Sequence, residues 1–270
     1  MLIRADVEAT TETVMEKRMS TADRVLSILG LFTAERPQWT VEEIRSELRL
    51  SASTAYQYVG SLTKAGLLVS GKAGRCMVGP AAIELDRIAR QVDPLIRGAR
   101  AALQALVGAS GAGAVGLLCR LYRLQVMCVE QYVLLDPGFS ISYERGRPLP
   151  LMRGSASKVI LANLEARQLR RFYEREFPAF EAGHPEAGWP SFKEEMRRIR
   201  RSGPVVAVGE LDPGVMGISA PVFDEHDQIL GSIGLALEAA PVLADPSRLE
   251  RLRTIVQQAG EAATRALRSA

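Results

Sequence analysis

The chain has 270 residues, 47% of them apolar, with 34 basic and 31 acidic side chains and a net charge of +3. At about 150 residues per domain this length gives two domains, and the apolar content can fill two modest cores. No apolar run reaches the roughly 18 residues of a membrane span and no cleavable leader is read at the start; with only three cysteines, Cys76, Cys119 and Cys128, a disulfide framework is excluded and a cytosolic protein with reduced thiols is expected.

Residues 1–19 carry no helical or strand period and read as a flexible arm. From Ser20 to Phe32, Val25, Ile28, Leu29 and Phe32 recur at helical spacing, which predicts the first helix of a small core. Thr40 and Glu43 make a capping box, so Val41 to Leu48 should be a short helix with Val41, Ile44 and Leu48 turned inward. Ser51 caps a second helix through Lys64, and Gly66 can take the left-handed conformation that ends it.

At 100° per residue that second helix gathers Ala52, Ala55, Val59 and Leu62 on one side, with Tyr58 at the edge. The other side holds Ser53, Gln57, Gly60, Ser61 and Lys64, a slim polar face without acid. Such a face suits an element that enters the major groove, about 12 Å wide, and reads base edges. Two short apolar strands, Leu67 to Val69 and Cys76 to Gly79, then flank a basic tip containing Lys72 and Arg75. This reads as a wing whose cations lie against phosphates.

Here the chain resembles the IclR family of bacterial transcription regulators, which join a winged helix-turn-helix to an effector domain related to GAF folds. The family's threonine-led helix, its Ser-Thr-Val-His/Tyr-Arg segment and its Leu-rich run are matched by TVEEI, Ser53-Thr54-Ala55-Tyr56-Gln57 and SLTKAGLL. Gln57 stands where many relatives carry arginine, which exchanges a charged contact for a side chain able to pair with adenine. Two later blocks match as well: Gly146 to Leu151 with Ser155 to Lys158, and Gly214 to Asp224 with Gly231 to Leu235.

The resemblance implies an α+β protein, and with the residue patterns it sets four segments. They are the arm at 1–19, an N-terminal all-α winged helix-turn-helix at 20–79, a linker helix at 80–93 and a GAF-like antiparallel sheet domain with flanking helices at 94–270. Expected DNA-binding residues are Ser51, Ser53, Thr54, Tyr56, Gln57, Lys64, Lys72 and Arg75. Between residues 20 and 80 seven basic side chains face five acids, so one such domain binds weakly and a homodimer on paired half-sites is expected; pairing of dimers into tetramers stays open.

After Pro80, a helix runs to Asp93; Pro94 breaks it, and Leu95, Ala99, Leu103 and Leu106 form the stripe of the next. Strands are predicted at Ala114 to Leu121, Gln125 to Val133, Phe139 to Glu144, Val205 to Leu211, Val215 to Phe223 and Gln228 to Leu237. Helices are predicted at Ser155 to Leu164, Glu165 to Glu176, Ser191 to Arg201 and Pro246 to Arg268. Asp136-Pro137-Gly138 and Asp224 to Asp227 read as turns and Phe177 to Pro190 as a surface loop. Cys119 and Cys128 should face each other if the hairpin turns near Arg123.

By resemblance, backbone amides near Ser155 and Ala156 receive the carboxylate of a small-molecule effector, and a helix start supplies the donors for it. Relatives that bind very small keto acids carry aspartate, cysteine and serines where this chain has Ala207, Gly217, Gly234 and Ala236. Loss of that polarity and volume predicts a wide apolar cavity, with Leu149, Met152, Val215 and Ser219 around the body of an aromatic or hydrophobic acid. No metal or other cofactor is expected. His184 and His226 sit in polar loops outside any catalytic pattern, which argues against an enzyme. The competing reading is a ligand sensor that acts through protein contacts without binding an operator.

Overall fold

The computed structural model describes residues 20–181 and 188–269, so the expected arm and His184 fall outside the described residues. The chain divides into two compact units, Met1–Ala89 and Arg90–Ala270.

In the first unit, α1 (Thr21–Leu29) is opened by a capping box between Ser20 and Asp23 and closed at Gly30. It ends three residues before Phe32, and Leu31 and Phe32 pack on the core as irregular chain. The helix α2 (Val41–Glu47) starts at the expected box: Thr40 N–H donates to Glu43 Oε2 at 2.7 Å and Glu43 N–H to Thr40 Oγ1 at 3.2 Å. The helix α3 (Ala52–Lys64) is capped by Ser51, and Gly66 follows at φ +71, open to glycine without Cβ strain.

Ala55, Val59 and Leu62 are buried, but two assignments on this helix change. Ala52 is exposed, because the first turn of α3 projects beyond the core. Tyr58 is a core residue at 8% exposure, not an edge one. The wing is β2 (Leu68–Ser70) and β3 (Arg75–Val78), joined through a 3₁₀ turn at Lys72–Gly74. A two-residue strand that the pattern did not signal, β1 (Trp39–Thr40), pairs with β3 and gives the sheet order β1-β3-β2. Trp39 anchors it by donating from its indole to Leu31 O at 2.9 Å, with the Arg36 guanidinium stacked 3.3 Å above the ring.

The helix α4 (Ala81–Val92) crosses the division between the units and buries none of its side chains. Asp93 then caps α5 (Pro94–Ser110), whose first turn opens with Pro94.

The second unit is a three-layer sandwich around an antiparallel sheet. Its strands are β4 (Val115–Tyr122), β5 (Gln125–Val133), β6 (Pro148–Pro150), β7 (Val205–Val208), β8 (Val215–Phe223) and β9 (Ile229–Glu238), in the order β6-β5-β4-β9-β8-β7. On one face α5 and α10 (Pro246–Arg268) bury Leu95, Leu103, Val256 and Ala263 against Met216, Ile218 and Leu235. On the other, α6 (Ser155–Asn163), α7 (Ala166–Glu181) and α8 (Trp189–Arg201) cover Val115, Leu117 and Cys128 with Ile160, Phe172 and Met196. A short helix, α9 (Ala239–Leu243), follows β9.

Three expectations are corrected here. The segment from Phe139 to Glu144 is a loop, because its backbone is satisfied by side chains: Ser142 N–H donates to Asp212 Oδ2 at 2.8 Å, and Tyr143 O accepts from Gln131 Nε2 at 2.6 Å. The short β6 pairs with β5 instead. The strand expected over Val205 to Leu211 stops at Val208. Both ends of the loop expected over Phe177 to Pro190 are helical, since α7 runs to Glu181 and α8 begins at Trp189 with Pro190 in its first turn, while residues 182–187 lie outside the described residues.

The β4-β5 hairpin does turn at Arg123 and Leu124, both at positive φ, which is the twist two-residue hairpins require. Cys119 therefore lies opposite Cys128, and both are free, buried thiols. Hydrogen bonding to Cys128 and burial push the Cys119 thiol well up, which leaves it unreactive.

Candidate DNA interface and effector cleft

Every side chain on the outer face of α3, Ser53, Gln57, Ser61 and Lys64, is exposed, and a Cβ at Gly60 would meet nothing within 4 Å. Between this helix and the wing runs an open groove of about 850 Å³, lined by Thr40, Glu42, Tyr56, Gly60, Lys64, Ser70 and Gly74 among others. Tyr56 is 59% exposed, and Lys72 and Arg75 are exposed on the wing. Two acids at the start of α2 are matched by cations: Glu42 by Arg45 at 2.8 Å and Glu43 by Arg36 at 2.9 Å. Lys64, Lys72 and Arg75 are the exposed cations of the helix and the wing.

Ser51 and Thr54 are occupied locally. The Ser51 hydroxyl accepts from Thr54 N–H at 3.2 Å and bonds Thr54 Oγ1 at 2.7 Å, and Thr54 is half-buried. Their first task is to shape the helix start. Arg49, at φ +51 in the turn just before α3, is a further exposed cation that sequence reasoning used only in the charge balance.

In the second unit a cleft opens where α6 points at β7, β8 and β9. Ala207, Gly217 and Ala236 lie side by side in register across those strands, with Ser155 above and Val215 at one end. Leu117, Ile141, Tyr143, Gly154, Glu210, Leu211 and Asp212 complete the wall. Five of the ten expected effector residues meet here. The other five do not: Leu149 and Ala156 are buried among apolar side chains, Met152 lines a separate aromatic cleft, and Gly234 sits in the sheet opposite Ser219. Ser219 is 2% exposed and spends its hydroxyl on Ser155 Oγ at 2.9 Å.

The wide cavity expected from small residues is also absent. The space is about 30 Å³, room for a water or so. Small side chains serve close packing instead: a Cβ on Gly217 would stand 2.5 Å from Ser155 Oγ. The remaining space is filled from above, where Tyr143 Oη and Leu211 Cδ1 lie 2.6 and 2.8 Å from the position of a Cβ on Gly154. Tyr143 also accepts from Ser157 N–H at 3.3 Å and bonds its hydroxyl at 3.0 Å. Burial pushes its phenol far up, so it stays neutral.

The loop after β7 carries the polar contacts that sequence reasoning missed. Glu210 Oε2 accepts from Gly154 N–H at 2.9 Å, and Glu210 Oε1 pairs with Lys158 Nζ at 2.5 Å. Asp212 accepts from both the backbone and the hydroxyl of Ser142. His226 is a solvated turn residue whose imidazole lies 3.7 Å from Glu225. No helix among the described residues is long and apolar enough to cross a membrane.

An outward polar helix beside a basic wing, followed by a separate sheet domain with a cleft at a helix start, defines a ligand-responsive winged helix-turn-helix regulator. Residues 21–71 match the IclR helix-turn-helix domain, and residues 91–265 match the domain described as bacterial transcriptional regulator IclR C-terminal. The chain belongs to the IclR family of transcriptional regulators, not to an enzyme family. A search of curated proteins finds no significant match.

Solved structures share the fold at low identity. The IclR transcriptional regulator of Alicyclobacillus acidocaldarius is 18% identical with a TM-score of 0.74, over 92% of this chain and 99% of that one. The IclR of Thermotoga maritima is 19% identical with a TM-score of 0.62, over 92% and 98%. An IclR homolog of Microbacterium hydrocarbonoxydans, solved in complex with 4-hydroxybenzoate, is 19% identical with a TM-score of 0.69, over 93% and 100%.

Proposed function

We propose that this regulator binds double-stranded operator DNA as a homodimer and that a small aromatic or hydrophobic carboxylate, bound in the C-terminal domain, changes its DNA affinity. The observation that carries the DNA reading is the exposed, acid-free face of α3 beside the cations of the wing. Gln57 and Ser53 read base edges, while Lys64, Lys72 and Arg75 hold phosphates. One domain with this modest charge binds weakly, and two on a symmetric site multiply their effective concentrations.

The effector's carboxylate sits at the start of α6, and its body lies against Leu117, Val215, Gly217 and Ala236. The apolar character of this wall supports an aromatic or hydrophobic acid, as does the 4-hydroxybenzoate held by the Microbacterium homolog. A ligand of that size needs a few hundred Å³, so Tyr143 and the loop after β7 must move to admit it. Binding that favours one arrangement of the dimer then shifts operator affinity by its differential energy, typically about 1–3 kcal/mol.

Two measurements test this. A mobility-shift assay on the DNA upstream of the protein's own coding sequence should give a salt-sensitive complex; absence of any shift would point to a sensor acting through protein contacts. Calorimetric titration against glyoxylate, pyruvate and a panel of hydroxybenzoates should favour the aromatic acids, and tight binding of the smallest acids alone would refute the ligand class.

A further inference from the structure

Glu210 holds the place that an effector carboxylate needs. Its Oε2 accepts from Gly154 N–H at the start of α6, and its Oε1 pairs with Lys158, one turn further along the same helix. Arg153 adds a bond to the backbone carbonyl of Glu210. A nine-residue helix with one anion already seated at its start repels a second, since two carboxylates within a few ångströms compete for the same donors and the same cation.

The loop that brings Glu210 there is a short turn that joins β7 to β8 and lies over the cleft. Gly209 and Gly214 bracket it at φ +66 and +78, and between them Asp212 fastens it to Ser142 while Leu211 plugs the cleft. Side-chain exposure of 28% for both Glu210 and Lys158 leaves the pair a short path to water, so it can be exchanged without unfolding the sheet. The closed cleft of about 30 Å³ and the occupied helix start have one origin.

The geometry points to Glu210 as a tethered competitor: its carboxylate latches the 209–214 loop over the cleft, and an acidic effector binds by displacing it from Gly154 N–H and Lys158. This rests on the effector site proposed above. Lys158 then changes partner, from Glu210 to the ligand, and the released loop is the structural difference between the empty and the bound domain. The latch lowers affinity for every carboxylate and selects acids whose apolar body repays the opening of the loop.

The test is calorimetric titration of the full-length protein with 4-hydroxybenzoate, benzoate and glyoxylate. Glu210→Ala should bind the aromatic acids at least tenfold more tightly than the parent chain, and Glu210→Gln, which keeps the packing but not the charge, should gain part of that. Adding Ala207→Phe, which fills the cleft from β7, should abolish binding in either background. Equal affinity of the parent chain and both Glu210 variants overturns the latch and leaves the site standing. Binding that survives Ala207→Phe, or no binding of any of the three acids by any variant, overturns the site and the latch with it. Thermal melts and circular dichroism establish that each variant is folded.

Discussion

Gln57 and Lys72 separate what reads DNA from what merely holds it. Both are exposed, one on the helix and one on the wing. In fluorescence-anisotropy titrations, Lys72→Ala should weaken binding to all duplexes alike and reduce the salt slope by about one, whereas Gln57→Ala should change which operator bases are preferred, by about 1–3 kcal/mol per contact. A sequence-independent loss for Gln57→Ala would remove it from base readout. Gly217 shows the same kind of division within the sheet domain. Its missing side chain reads as volume given to a cavity, yet Ser155 Oγ occupies that volume and hydrogen-bonds Ser219. Gly217→Ala should push that hydroxyl away and leave buried oxygens unpaired, lowering stability by about 1–3 kcal/mol in thermal denaturation.

At the scale of elements, caps and clamps decide what holds. Glu43 closes the start of α2, and hydrogen bonds first from Thr40 N–H, then from its hydroxyl, hold its carboxyl below the usual range. A depressed folded value contributes stability that is complete above the unfolded value and is lost as the pH falls through the folded one. The first unit should therefore loosen below about pH 4.5, and Glu43→Gln should flatten that dependence in melts between about pH 3 and 6. An unchanged acid slope would show that the box is silent.

The last turn of α4 is held differently. Glu130 on β5 receives Arg90 Nη2 at 2.7 Å and Arg100 at 3.4 Å, while Asp93 pairs with Arg120 on β4. Glu130 is nearly buried, and its arginines are half exposed and can turn to water. Removing the carboxylate with Glu130→Ala should accordingly cost about 1–3 kcal/mol, less than for a fully buried pair. Thermal melts of Glu130→Ala that match those of the parent chain would show that the clamp contributes nothing.

For the whole molecule, α4 carries the clearest unpartnered feature. Leu85, Ile88 and Val92 recur at spacings of three and four, and are 56%, 45% and 63% exposed. Such a stripe on a helix that buries nothing in its own chain is the seam expected of a dimer. Ile88→Glu should shift the protein to monomer in light scattering and reduce operator affinity by tenfold or more, leaving the melting of the isolated chain near that of the parent. A dimer that survives Ile88→Glu places the interface elsewhere.

Much of the fold was legible because its signals are local. Ser51, Thr40 and Gly66 act on backbone groups three or four residues away, so the helix starts and stops over 40–66 could be read from their chemistry alone. The long strands β5 and β8 and the helix α10 follow from unbroken periodicity, and Cys119 meets Cys128 because hairpin register depends on a two-residue turn.

The effector cleft was readable only in part, since its walls come from segments far apart in the chain. The sequence by itself determined the outward face of α3, the wing, the order of elements and the helix start at Ser155, all governed by neighbours along the chain. Only the tertiary structure decided that Gly217 makes room for Ser155, that residues 139–144 give up a strand for side-chain bonds, and that Glu210 lies on Gly154 N–H. Those outcomes turn on which distant groups arrive within about 3 Å of one another, a distance that no spacing in the sequence encodes.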